Sequence, residues 1–130
     1  MTAPFVYIGT YEVNEGRFED ARKSLTEHTQ FIEANEPRLI SFNVYADEDA
    51  GLVSIVQVHT DSSSMDYHMK LVAEHISAAL GDYLGRTVDT RVFGDGPSTV
   101  DTIRSFGASD DLVTVAPEHV AGFTRTTVRG

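Results

Sequence analysis

The 130-residue chain has no cysteine, which excludes disulfides, thiolate nucleophiles, zinc-thiolate sites and iron-sulfur clusters together. It has no tryptophan either. Positive charge is scarce: ten basic residues against twenty acidic ones leave a formal charge of -10. A phosphate backbone would be repelled by that balance, so nucleic acid is excluded as a partner. No apolar run approaches the ~20 residues that cross a bilayer. The start, Met1 to Phe5, has no basic region followed by a hydrophobic stretch, so the expectation is a soluble, cytoplasmic protein without membrane contact. What is present is an apolar fraction of 41%, spread along a length typical of one domain with a real core. There is no internal repeat and no low-complexity segment.

The chain reads as an alternation of strands and helices. Pro4 to Val13, rich in Phe, Val, Tyr, Ile and Thr, is a first strand, ending before Asn14, a plausible helix cap. Phe18, Ala21, Leu25 and Ile32 recur at helical spacing and predict an amphipathic helix from Glu15 to Asn35. It stops at Glu36-Pro37, because a residue before proline is pushed out of the helical region. Arg38 to Ala46 and Leu52 to Thr60 flank the polar connector Asp47-Glu48-Asp49-Ala50-Gly51 and predict an antiparallel hairpin. Ser63 with Asp66 fits a Ser-x-x-Asp cap, and the second helix runs to Leu80, before Gly81. Arg86 to Phe93 is a fourth strand, closed by Gly94-Asp95-Gly96-Pro97.

The order is therefore α+β: a ferredoxin-like βαββαβ unit with a four-stranded antiparallel sheet and both helices on one face. Alternate residues reveal what the other face meets. Ile40, Phe42 and Val44 oppose Leu39, Asn43 and Tyr45, while Val53 and Ile55 oppose Leu52, Val56 and Val58. Apolar groups leave both faces, whereas a sheet wetted on one side alternates cleanly. The expectation is a homodimer in which two sheets close into an α+β barrel. Residues 1–96 form this domain and residues 97–130 an extension. There, Ser98 to Phe106 reads as a short helix, Leu112 to Val115 as extended chain and Val120 to Val128 as strand-like. The extension either crosses the dimer as an arm or packs on its own subunit.

Two histidines of the second helix carry the best prospect of chemistry. His68 and His75 lie seven residues apart, ~10.5 Å along the axis and within about 20° in azimuth. They flank Val72 at the edge of the apolar stripe, which Tyr83 also joins. An imidazole between helix and sheet can act as a proton acceptor, since its pKa lies near neutrality. The alternative is a pair of rim residues hydrogen-bonded to backbone or water. A shared metal is not indicated, because imidazoles two turns apart do not easily reach one ion. His28 holds a similar rim position on the first helix, while His59 and His119 read as solvated. Asp47-Glu48-Asp49 lacks the spacing of a calcium loop and reads as a hairpin tip. Gly94-Asp95-Gly96 lacks the third glycine of a dinucleotide fingerprint and reads as a turn.

This element order, with the stretch Ser63-Ser64-Met65-Asp66-Tyr67-His68-Met69-Lys70-Leu71-Val72-Ala73-Glu74-His75, resembles the antibiotic-biosynthesis monooxygenase-like superfamily of dimeric α+β barrels. Ser63, Asp66, Tyr67 and His75 match the opening of that family's second helix, and the resemblance covers residues 4 to 95. It implies a dimer with a pocket between sheet and helices, taking a small aromatic or apolar ligand. It also implies oxidation of a phenolic, hydroquinone or polyketide-like compound by dioxygen, without metal, flavin or other cofactor. Under it His75, then His68, is the proton acceptor; Asn43 and Arg91 orient substrate oxygens, beside Val72 and Tyr83. Haem-degrading relatives carry an Asn on the first strand and a Trp, and neither is present here. Two further readings of the same barrel remain: a non-catalytic ligand-binding dimer, and a histidine-dependent isomerase or cyclase.

Overall fold

The computed structural model describes residues 3–106 and 112–125, with the backbone alone for residues 77–79. Its elements are β1 (Phe5–Val13), α1 (Phe18–Asn35), β2 (Leu39–Asp47), β3 (Leu52–His59), α2 (Ser62–His75), α3 (Ser77–Tyr83), β4 (Leu84–Phe93), α4 (Pro97–Ser105) and β5 (Val113–Ala116). The first four strands pair antiparallel in the ferredoxin-like order. The sheet has five strands rather than four, in the order β2-β3-β1-β4-β5. The extension supplies the fifth, which runs parallel to β4. A parallel neighbour needs a crossover, and α4 is that crossover.

Three local departures from the sequence pattern have plain causes. The second helix is broken at Ile76 (φ -129°) into α2 and α3, and α3 continues to Tyr83, so that Leu80 and Tyr83 turn into the core. The cap of α2 is Asp61, not Ser63: Asp61 Oδ1 accepts the Ser64 amide at 3.0 Å. Asp66 is then free to accept the Thr99 hydroxyl of α4 at 2.8 Å. At the start of α1, Asn14 offers its carbonyl to the Arg17 amide rather than a side-chain cap. The tip Asp47–Gly51 closes as a turn, with Gly51 at φ 72°, where a side chain would be strained.

Register assigns every strand residue to a face. Phe42, Gln57, Tyr7, Val92 and Val115 form one continuous row under the helices. Asn43, Val56, Ile8, Arg91 and Thr114 form the row behind it, on the open face. The buried side divides into two clusters. One joins Phe5, Tyr7, Met65, Met69 and Val92 to Val100, Ile103 and Val113. The other holds Ala21, Leu25, Val53, Ile55 and Tyr83. Each fully buried large side chain stabilises by about 1.5–3 kcal/mol. Because Val100, Ile103 and Val113 sit in the first cluster, α4 and β5 pack on the same chain's core. Beyond them, residues 120–125 carry no strand, with Val120 and Phe123 exposed; residues 126–128 of the expected Val120 to Val128 strand lie outside the described residues. Tyr45, 63% exposed, and Phe93, 40% exposed, add aromatic surface to the open face beside Val56 and Ile8.

Candidate active site

Between the helices and the sheet lies a cavity of about 320 Å³. Its floor is the inner row of the sheet, Tyr7, Tyr11, Phe42, Ile55 and Gln57. Its roof comes from α1 and α2, and Ile103 and Phe106 of the extension complete the wall. Two histidines, His28 and His68, line it, and His59 packs against His68 with ring centres 5.8 Å apart; all three are buried, at 6% (His28), 0% (His59) and 5% (His68) exposure. His28 stacks on Phe42 with ring centres 5.7 Å apart, and Phe42 meets His68 at 5.8 Å.

His68 is set in place by a residue that only the helix end could supply. Pro37 ends α1, and Glu36 takes φ -128°, leaving its side chain buried. Its Oε2 accepts Nδ1–H of His68 at 2.7 Å. With Nδ1 giving its proton to the carboxylate, Nε2 is the lone-pair nitrogen of the neutral ring. A carboxylate behind an imidazole fixes its tautomer and stabilises the imidazolium that forms on proton uptake. Glu36 Oε1 has no partner among the described residues.

His59, expected to be solvated, is fully buried because it ends β3 on the inner face, opposite Phe5. Its Nε2 donates to Gln57 Oε1 at 2.8 Å, and its Nδ1 accepts from Ser64 Oγ at 2.7 Å. That arrangement requires the neutral ring. Burial, with repulsion from the charge His68 carries when protonated, pushes its pKa down to about 3. Burial and the same charge push His28 down to about 4. Both nitrogens of His28 lack a partner among the described residues, so the cavity contains a neutral imidazole able to give one hydrogen bond and accept another.

Across the floor, Tyr7 and Tyr11 join hydroxyl to hydroxyl at 2.5 Å. They project from alternate positions of β1, and Gly9 between them has no side chain to keep them apart: a Cβ there would lie 2.5 Å from both oxygens. Burial raises both phenol pKa values, so both stay protonated at neutral pH. The alternation Tyr-x-Gly-x-Tyr was the sequence signal for this pair. Glu36 gave no such signal, since its role depends on a long-range contact.

The expected site residues separate in space. His68 and Val72 line the cavity. His75 does not: its side chain is 53% exposed, beside Glu74 and tilted against Phe31. Tyr83 lies in the second core cluster, where burial lifts its pKa to about 12. Asn43 and Arg91 belong to the open-face row, with Arg91 paired to Asp89 at 3.1 Å. Val72 follows the helical face that carries His68, whereas the tilt beyond His75 and the sheet register carry the others away. Among the described residues, no group of three or more His, Asp or Glu side chains is arranged to hold a metal ion, and no helix is long and apolar enough to cross a membrane.

Solved structures match this architecture throughout. MupZ from Pseudomonas fluorescens superposes with a TM-score of 0.71 at 15% identity, over 98% of this chain and 100% of its own. A Chloroflexus aurantiacus protein named after antibiotic biosynthesis monooxygenases gives 0.58 at 18% identity, over 69% of this chain and 90% of its own. The chain has the ferredoxin-like fold of these proteins. Rv0793 from Mycobacterium tuberculosis gives a TM-score of 0.58 at 19% identity, over 69% of this chain and 92% of its own. The likeness to MupZ is long enough to include the segment beyond residue 96, which a 69% match need not contain. No sequence-family model matches the chain, and no curated protein matches it in sequence.

Proposed function

We propose that this protein is an enzyme that removes a proton from a small, largely apolar phenol, hydroquinone or anthrone-like compound and passes the resulting anion's electrons to dioxygen. The observation that carries the reading is the buried Glu36–His68 pair, whose imidazole lines a mostly apolar cavity. His68 Nε2 accepts the proton, and Glu36 stabilises the imidazolium. The electron-rich anion transfers one electron to dioxygen, and the radical pair joins to a peroxide. For an activated methylene, loss of water from that peroxide leaves a ketone, so one oxygen atom enters product and the other leaves as water. Exclusion of bulk water protects the anion from reprotonation. The names of several structural neighbours support this kind of function, and the apolar groups on the open face support a homodimer as the working form.

A second reading, isomerisation or cyclisation, is favoured by His28. Its two unpartnered nitrogens can return a proton to a different atom of the same substrate, with no need for oxygen. Oxygen uptake with a panel of anthrones and hydroquinones separates the two. We expect uptake in the wild type, and a loss of roughly 10²- to 10⁴-fold in His68→Gln with a smaller loss in Glu36→Gln. Product formed without uptake selects the second reading, and turnover indifferent to His68→Gln refutes both.

A further inference from the structure

We infer that Tyr7, Tyr11 and Gly9 form an oxyanion-binding site, which selects substrates whose deprotonated oxygen is a phenolate or enolate. The inference rests on the proton-removal reading above, and it names where the negative charge goes once His68 has taken the proton.

The hydrogen-bond accounting leads to it. Tyr7 and Tyr11 share one hydrogen bond at 2.5 Å, in which either hydroxyl can be the donor. One bond uses one of the two hydroxyl protons. Whichever way it runs, the pair keeps a second proton to donate to a third oxygen. A donor at the end of a hydrogen-bonded chain is polarised by the bonds behind it and binds an anion more strongly than a lone hydroxyl. Tyr7 and Tyr11 both line the cavity, on its floor, while His28 and His68 enter from the helices above. Among the described residues no carboxylate lines the cavity.

Gly9 is what permits the pair. The two hydroxyl oxygens occupy the space that any Cβ would need at this position. Gly9 is also extended strand opposite Ile55 and Thr90, where a side chain would otherwise strengthen the sheet. Its absence clears room over which two phenols meet, and fixed dipoles aimed at developing charge are the most effective form of electrostatic stabilisation.

The test is the ionisation of a bound chromogenic phenol, which needs no turnover. 4-Nitrophenol is titrated, free and bound, by its visible phenolate absorbance in the wild type, Tyr7→Phe, Tyr11→Phe, Gly9→Ala and His68→Gln. The expected result is that the wild type binds phenolate more tightly than phenol. Each Tyr→Phe variant then loses roughly tenfold or more of that preference, the scale of one hydrogen bond to a charged group, and Gly9→Ala loses it as well. His68→Gln should keep the preference while losing turnover, which separates failure of this site from failure of the base. Phenylalanine removes an oxygen and leaves the ring packing, and far-ultraviolet dichroism confirms that each variant is folded. An unchanged phenolate preference in both Tyr→Phe variants overturns the inference, as does a wild type that fails to bind the phenolate.

Discussion

Acid should destabilise this protein through its buried histidines, and His28→Phe measures one share of the effect. The folded pKa values of His28 and His59 are depressed to about 4 and about 3, against an unfolded value near 6.5. A depressed pKa means that the unfolded chain binds the proton first. The stability from keeping each ring neutral is therefore complete above pH 6.5 and lost as pH falls towards the folded value. At pH 5 both folded rings are still neutral, while the unfolded rings are charged over 1.5 pH units, a loss of about 2 kcal/mol each. Together that is about 4 kcal/mol, a large part of a domain's usual 5–15 kcal/mol. Among the described residues the His28 ring has no hydrogen-bond partner, and it stacks on Phe42, so phenylalanine keeps its ring contact and removes two unsatisfied nitrogens. Urea denaturation at pH 7, 6 and 5, at fixed protein concentration, should show the variant losing about 2 kcal/mol less than the wild type between pH 7 and 5. Equal losses in the two proteins would refute the argument that burial holds His28 neutral.

Three further outcomes are expected. Val56→Lys puts a charge beside Ile8 on the open face and should convert a dimer to a monomer; sedimentation equilibrium reads this, and a monomeric wild type would sink the dimer. His75→Ala should leave turnover unchanged, because the side chain stands outside the cavity; a loss matching that of His68→Gln would contradict the placement. Asp61→Ala removes the cap of α2 and its bonds to the Ser64 amide and Arg38, and should cost about 1 kcal/mol by denaturant titration.

Much of the architecture is local and was legible. Alternation in β1 and β3, the helical spacing of Ala21, Leu25 and Ile32, and Pro37 after Glu36 each act within a few residues, so they specify strands, a helix and a stop without reference to the rest of the chain. His68 was legible as a candidate for the same reason, since its azimuth on α2 follows from the 3.6-residue period. The family resemblance ranked His75 ahead of it, and His75 lies outside the cavity lining. The helix breaks at Ile76, immediately after His75, and the cavity lies over the turn that carries His68.

What the sequence determined by itself was thus the element order and the faces, because these obey short-range steric and periodic rules. Tertiary structure alone decided the site. Glu36 meets His68 across 32 residues, and the extension lends Ile103 and Phe106 to the cavity wall and β5 to the sheet edge. Such pairings depend on how separate elements pack. Burial then fixes which imidazoles stay neutral, since the dielectric around a side chain is a property of its neighbours and not of its place in the chain.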